Sequence, residues 1–575
     1  MSTSAPEHRS EQRLHVWIEI ALNRLTDLLS TQSAGSYRVC ALLLLITFAA
    51  IETILITVGA APIAGPWDVM ALLDGAWRIV CGQVPHTDFH NPIGALTYLL
   101  VAFGMRVATP STSSISYGVA LLLLLLLPWA WLLASRRLPA TIALAFVLFL
   151  AILLATPRPL SYPVEETSYA MFYNREGYVL LSMLLLCLFV RPRTPGRFAA
   201  SLSGLSMGLL LGLMLYCKIT YFIFGAASVV FCWAIDRRQQ ATLPAVLAGL
   251  VLIWLLFAAL FHIELRAYLA DIAVAGRSQS MGMRLHLISG DLLANSLESY
   301  VILLCLVLWV WPGMQVAKVR SAGVRPFLIV IWIFAVALGI DSGNAAQIGN
   351  PADPLYVAAG IIAVELYRRH YPEQIRAPQS PQRLAYAVSL LLILPVVAVP
   401  ILARDLASCS YALLWNLKNR SSFDPSRSLH SAALADFRVP ASTTHITGYW
   451  PARDHPANIN DGIDLLRGHL IPGDRVTTLA YANPFSFALG LQPARDGPQW
   501  WDLNFSFDQK HYPSAESFLG SASLVMVLRP TDRTKGWSFE TVDLMLELYS
   551  DYLQAHFERV DMSEHWILYR RRTGA

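Results

Sequence analysis

Asp68, Asp74, Arg78, His86, Asp88 and His90 all fall within one short stretch, GPWDVMALLDGAWRIVCGQVPHTDFHNPIG (65–94). Carboxylates beside imidazoles and a guanidinium are the groups of general acid–base chemistry. Asp68 follows Gly-Pro-Trp and precedes a helical run, so it suits a helix N-cap. The same carboxylate, at the mouth of a helical bundle, can take the proton of an acceptor hydroxyl. Asp74 and Arg78 stand four apart, the spacing of an ion pair on one helix face. His86, Asp88 and His90 alternate, which on an extended segment turns them the same way, as metal ligands require. Without a further ligand cluster, the expected role of these three is to shape the loop through hydrogen bonds, with no metal.

A second charged stretch, TPRPLSYPVEETSYAMFYNREG (156–177), carries Glu165 and Glu166 between Arg158 and Arg175. Adjacent acids there are either solvated or part of a site that deprotonates an acceptor and holds an anionic leaving group. In LGLMLYCKITYFIFG (211–225), Lys218 divides two apolar runs. Its ammonium either reaches lipid headgroups or neutralises a substrate phosphate. Arg266, Arg277 and Arg284 are further phosphate candidates.

The elements that must position these groups are membrane helices. Of the 575 residues, 55% are hydrophobic and 14% charged, with mean hydropathy +0.48; soluble domains carry about 25% charged residues. Runs long enough to cross a bilayer as helix occur near 39–60, 115–135, 139–156, 177–190, 198–217, 220–235, 242–262, 296–311, 326–340, 355–367 and 385–403. That predicts an α-helical polytopic bundle of about eleven spans. The basic clusters Arg136/Arg137, Arg191/Arg193/Arg197, Arg237/Arg238, Lys318/Arg320/Arg325 and Arg368/Arg369/Arg376/Arg383 belong in the cytoplasm by the positive-inside rule. All five fall inside only if 93–108, short and interrupted by Arg106, lies along the outer interface rather than spanning. The amino terminus is then cytoplasmic and the carboxyl terminus outside, with outer loops at 61–114, 157–176, 263–295 and 341–354.

Residues 1–38 are polar, with an apolar stripe from Leu14 to Leu29 that reads as a surface or packed cytoplasmic helix. Residues 404–575 change character: GDRVTTLAY, SASLVMVLRP and HWILYRRR read as strands and FETVDLMLELYSDYLQAHF as an amphipathic helix, together a small extracytoplasmic α/β domain. Within it Trp500 and Trp501 either face a sugar or are buried packing, the latter preferred. Of seven cysteines, Cys81 and Cys409 alone stand outside the apolar runs, and no framework spacing supports a disulfide between them. The short cytoplasmic loops hold no phosphate-binding or dinucleotide fingerprint, so the chemistry is expected outside, with no cofactor and no nucleic-acid partner.

The order of these features resembles the bacterial membrane glycosyltransferases of the GT-C superfamily, especially those related to protein mannosyltransferases, the lipid A aminoarabinose transferase and the rhizobial core-lipid galacturonosyltransferases. Asp68, Gly82, Pro85, Asp88, Phe89, Pro92 and Tyr98 fill the places of that family's first-loop motif. The similarity extends through the acidic second loop and the hairpin at Lys218, about residues 40–240. It implies transfer of a sugar from a polyprenyl-phosphate donor to a lipid, glycan or protein acceptor on the outer side of a bacterial cytoplasmic membrane. Asp68 would be the base and Glu165 or Glu166 the second acid, while Lys218, Arg78, Arg158, Arg175 and Arg277 would hold phosphate. A single Asp68 followed by Val69 replaces the paired acids of several family members. The rival readings are a transporter or lipid flippase, and a cell-envelope assembly protein without catalysis. Transporters place ionisable groups at the bilayer midplane, whereas the charge here gathers in loops.

Overall fold

The computed structural model describes residues 33–58, 65–160, 162–194, 196–278, 281–294, 320–343, 352–377, 380–419, 428–438, 455–529 and 537–573, with isolated positions between 297 and 305. The chain is a mostly helical, multi-span membrane protein with a small C-terminal mixed sheet. Residues 1–32, which include the expected leader stripe, and most of the expected span at 296–311 lie outside the described residues.

The bundle opens with α1 (Ala34–Val58), α2 (Pro66–Val80), α3 (Leu96–Val107), α4 (Ser114–Ser135), α5 (Ala140–Ala155), α6 (Tyr173–Phe189), α7 (Arg197–Cys217), α8 (Ile219–Ile235) and α9 (Leu243–Phe261). Among the described residues, six helical stretches are long and apolar enough to cross a bilayer. With 22 residues, α4 is about 33 Å long at 1.5 Å per residue. By contrast α3 has 12 residues, about 18 Å, short of the roughly 30 Å of hydrocarbon.

Where helices touch, small residues make the contact. On α7, Gly204, Gly208 and Gly212 recur every fourth residue and face α9; a Cβ on Gly208 would run into the Val246 carbonyl, and one on Gly249 of α9 into that of Leu205. Without side chains between them, the two backbones reach van der Waals contact.

The expected outer segment 263–295 holds two helices, α10 (Leu265–Ser278) and α11 (Met281–Ala294). Tyr268 and Ala275 of α10 are buried and Ile272 half-buried, a helical spacing that the many polar residues between them obscure. The bundle continues with α12 (Arg320–Ser342) and α13 (Asp353–His370). A last helix, α14, begins at Pro381 and passes through a wide π turn at Leu394–Ala398 into Val399–Asn419. Pro395 and Pro400 lack the N–H that a regular turn needs there. The helix thus runs past residue 404, so the polar tail begins later than expected.

One end of the bundle gathers the arginines. Asp236 binds Arg325 at 3.0 Å and also Arg191, Glu365 binds Arg368 and Arg369 at 2.8 and 2.6 Å, and Arg369 donates to the Arg191 and Arg137 carbonyls. At the opposite end of α4, Asp436 accepts from Thr112 N (3.0 Å), Ser113 N (2.9 Å) and Ser113 Oγ (2.5 Å). An acid from the C-terminal segment thus satisfies donors at the start of a membrane helix. Asp436→Ala is expected to lose about 1 kcal/mol of stability, visible as a lower Tm in detergent; an unchanged Tm would contradict this capping role.

The C-terminal domain carries α15 (His455–Arg467), β1 (Arg475–Leu479), α16 (Phe485–Leu489), β2 (Gln492–Pro493), α17 (Ala515–Leu519), β3 (Leu524–Leu528), α18 (Trp537–His556), β4 (Phe557–Met562) and β5 (Trp566–Arg571). Its sheet runs β2-β1-β3-β5-β4, with β1 parallel to both its neighbours and β5 antiparallel to β3 and β4. The three strands and the helix expected from sequence are all present; β2, two residues long, and β4, which follows α18 directly, are additional.

Candidate functional site

Asp68 sits in the first turn of α2, where the partial positive charge of a helix start favours a carboxylate. The cap position itself belongs to Gly65, whose φ of 63° turns the chain into the helix, rather than to Asp68 as the spacing suggested. Two residues of this turn meet the C-terminal domain: the Trp67 ring stands edge-on to His455, centroids 4.8 Å apart, and the Tyr481 hydroxyl donates to Asp68 Oδ1 at 2.5 Å. Burial pushes the Asp68 carboxyl above the usual carboxylate range, with the Tyr481 hydrogen bond opposing that rise. In Tyr481→Phe that opposition is gone. Asp68 then ionises at higher pH, and the acid limb of the pH–rate profile moves upward; an unmoved limb would show that Asp68 is not the group titrating.

Tyrosines surround this carboxylate. Tyr162 and Asp68 Oδ2 both pack against Gly65, and Tyr162 lies in the field of both Asp68 and Glu166. Glu166 is buried whereas Glu165 is exposed, and it is Glu166 of the pair that acts on Tyr162. Tyr98 of α3 accepts from the Trp500 indole and also feels Asp68. From the C-terminal domain comes another acid. Asp502 is 7% exposed, its Oδ1 has no hydrogen-bond partner, and Asp68 is the charge that acts on it. Tyr173, at the start of α6, lies in the field of Asp68 and Asp502 together.

Tyr173 and Trp500 also line a neighbouring cavity of about 380 Å³. Its walls are mostly apolar: Pro92 and Ile93, Ile219, Ile223 and Phe224 of α8, Ile272 and Ala275 of α10, and Phe505. Its charged lining residues are Lys218 and Arg284. Lys218, in extended conformation, breaks α7 from α8; Nζ lies 5.1 Å from the Tyr173 ring centroid and 3.4 Å from Asn174 Oδ1. Burial lowers the Lys218 ammonium to about 8. Gly94 abuts the hairpin end just before it, where a Cβ would overlap the Tyr216 backbone.

The expected phosphate arginines are placed elsewhere. Arg78 forms the anticipated pair with Asp74 (2.7 Å) and donates to the Ala494 carbonyl (2.7 Å), which joins α2 to the C-terminal domain. Arg158 and Arg175 both bind Asp405 of α14, at 2.9 and 3.0 Å, and their remaining donors go largely to backbone carbonyls. Arg277 stands exposed on α10 and is not among the residues lining the cavity, whereas Arg284 is.

His86 and His90 do turn the same way, toward Asp271 of α10. Their Nδ1 atoms lie 2.9 Å from its two oxygens, and Asn91 N donates to it at 3.1 Å. The Asp271 carboxylate raises the His90 imidazole above its ordinary value. Asp88 instead closes its own turn on Val84 N (2.8 Å) and binds Arg495 (3.1 Å). Among the described residues, no group of three or more His, Cys, Asp or Glu side chains could hold a metal ion. The two tryptophans part company: Trp501 is core, against Phe507, Phe518 and Tyr549, and Trp500 borders the cavity. Cys81 and Cys409 are both free thiols.

Neither a protein-family model nor a curated protein matches this chain. Two crystal structures of ArnT from Cupriavidus metallidurans are similar to it. The apo form gives a TM-score of 0.49 at 14% identity, covering 92% of this chain and 98% of that one. The form bound to undecaprenyl phosphate gives 0.47 at 12% identity, covering 94% and 99%. The likeness spans nearly the whole of both chains.

Proposed function

We propose that the protein is a membrane glycosyltransferase that moves a sugar from a polyprenyl-phosphate carrier to a lipid, glycan or protein acceptor. The observation that carries this reading is the half-buried carboxylate of Asp68 beside a mostly apolar cavity whose charged lining residues are Lys218 and Arg284, with Tyr173 both lining that cavity and lying in the field of Asp68. An isoprenoid tail suits the apolar walls, and its phosphate suits the cations. The undecaprenyl phosphate in one of the similar ArnT crystals is a carrier of this class.

In the proposed reaction Asp68 accepts the proton of the acceptor hydroxyl as that oxygen bonds the anomeric carbon. The bond from that carbon to the phosphate oxygen breaks, and the electron pair leaves with the polyprenyl phosphate. Lys218 and Arg284 hold the charge that develops there. Glu166 is the second acid, acting across Tyr162. The donor is already activated by its phosphate, so a base and a cationic cradle suffice.

We place the site on the outer side of a bacterial cytoplasmic membrane, with the amino terminus inside. Convergence of the arginine clusters at the other end of the bundle supports that orientation. The test is incubation of the protein, in lipid nanodiscs, with a panel of polyprenyl-phosphate monosaccharides and a bacterial envelope extract as the source of lipid, glycan and protein acceptors. Release of free polyprenyl phosphate from one of them is expected, and it also identifies the sugar. No release across the panel, together with movement of intact lipid between leaflets of vesicles, would favour the flippase.

A further inference from the structure

Asp502 has no evident structural task. It is buried at the head of a turn in which its own N–H and carbonyl bond Ser506 Oγ and Ser506 N, at 2.8 and 2.9 Å, yet its side-chain Oδ1 is buried without a partner. A solvent-excluded polar atom left unbonded is costly and needs an explanation. Its neighbours in sequence lie beside Asp68 and the cavity. Trp501 N donates to the Tyr481 carbonyl at 2.7 Å, Tyr481 holds Asp68, and Trp500 and Phe505, on either side of it in sequence, line the cavity.

We propose that Asp502, supplied by the soluble domain, is a catalytic partner of Asp68 that donates a hydrogen bond to a substrate oxygen rather than accepting one. The titratable groups around the pair are Asp68 of α2, Tyr98 of α3, Tyr162, Tyr173 of α6 and Tyr481. No cation among the described residues is identified as acting on Asp502. Burial, with the charge of Asp68 added, holds the Asp502 carboxyl well above its ordinary range. Two carboxyl groups whose surroundings favour opposite protonation states divide the roles of acid and base. Asp68, supported by the Tyr481 hydroxyl, is the one that ionises, and Asp502 keeps its proton. The proton stays on Asp502 throughout; the acceptor's proton goes to Asp68.

This assignment builds on the transferase reading, and its test separates the two. Asparagine is neutral and donates; alanine does neither. With the donor that wild type turns over, Asp502→Ala is expected to lose about 10²-fold in kcat, the usual cost of one such donor. Asp502→Asn should lose less than about 10-fold. Equal loss in both variants would mean that a carboxylate charge is required, and no loss in either would leave Asp502 idle; each overturns the proposal.

An infrared difference spectrum of Asp502→Asn against wild type at neutral pH supplies a readout independent of turnover. The carbonyl band of a neutral carboxylic acid should disappear in the variant, and its absence from wild type would likewise overturn the proposal. Should wild type turn over no donor at all, the transferase reading falls, and the infrared band alone decides whether Asp502 is a neutral donor.

Discussion

Asp68→Asn is expected to lower kcat by about 10²–10⁴-fold, the range that a positioned general base contributes, while leaving donor binding within a few-fold of wild type. The amide nearly matches the carboxylate in size and can still meet the Tyr481 hydroxyl, so packing around α2 is kept. What is lost is the ability to accept a proton. Steady-state kinetics beside an equilibrium binding measurement separate the two effects; a Kd that rises in step with the fall in kcat would make Asp68 a binding residue. The pH–rate profile carries the same signature. Because burial raises the Asp68 carboxyl, wild-type activity should decline on acidification at a pH above the ordinary aspartate value of about 3.9. The ionised form is the active one, so activity is present above that limb and lost below it.

Lys218→Ala should act on the donor instead. Removing a charged hydrogen-bonding partner costs about 1.5–3 kcal/mol, or about 10–100-fold in kcat/KM. A matching pH effect follows from the ammonium lowered to about 8. Its charge is present below that pH and absent above it, so kcat/KM for wild type falls on the alkaline side near pH 8. In Lys218→Ala that limb should be missing. Lys218→Arg keeps the charge at all accessible pH values and should abolish the limb while restoring part of the affinity. An alkaline limb that persists in Lys218→Ala would assign it to another group.

Much of the fold was legible because a bilayer demands long apolar helices, and the runs at α4, α7 and α9 are unambiguous. α10 was not legible, since a helix that buries one face and exposes the other carries enough Arg, Asp and Ser to read as loop. The site divides along the same line. Asp68, Lys218 and the inward glutamate stand close to recognisable punctuation such as Gly-Pro or the break between two apolar runs.

Their partners come from far along the chain, and nothing local marks them. Tyr481 meets Asp68 across 413 residues, and Asp502 lies in a segment whose aromatic neighbours suggested packing. The reverse holds at Arg158 and Arg175, whose partner in the fold was not legible. Unpaired in sequence, they looked free to bind phosphate; their counter-ion, Asp405, lies 247 and 230 residues further on. His86 and His90 read as hydrogen-bonding residues, but the carboxylate they bind, Asp271, sits far along the chain on α10 and could not be named from sequence.

The most direct test of the central claim is a cryo-electron microscopy structure of Asp68→Asn in nanodiscs with the polyprenyl-phosphate sugar that wild type consumes. The account predicts the lipid tail along α8 and α10, its phosphate within hydrogen-bond reach of Lys218 and Arg284, and the sugar turned past Tyr173 toward position 68. A phosphate bound at the arginine-rich end of the bundle, or a sugar held away from position 68, would contradict it.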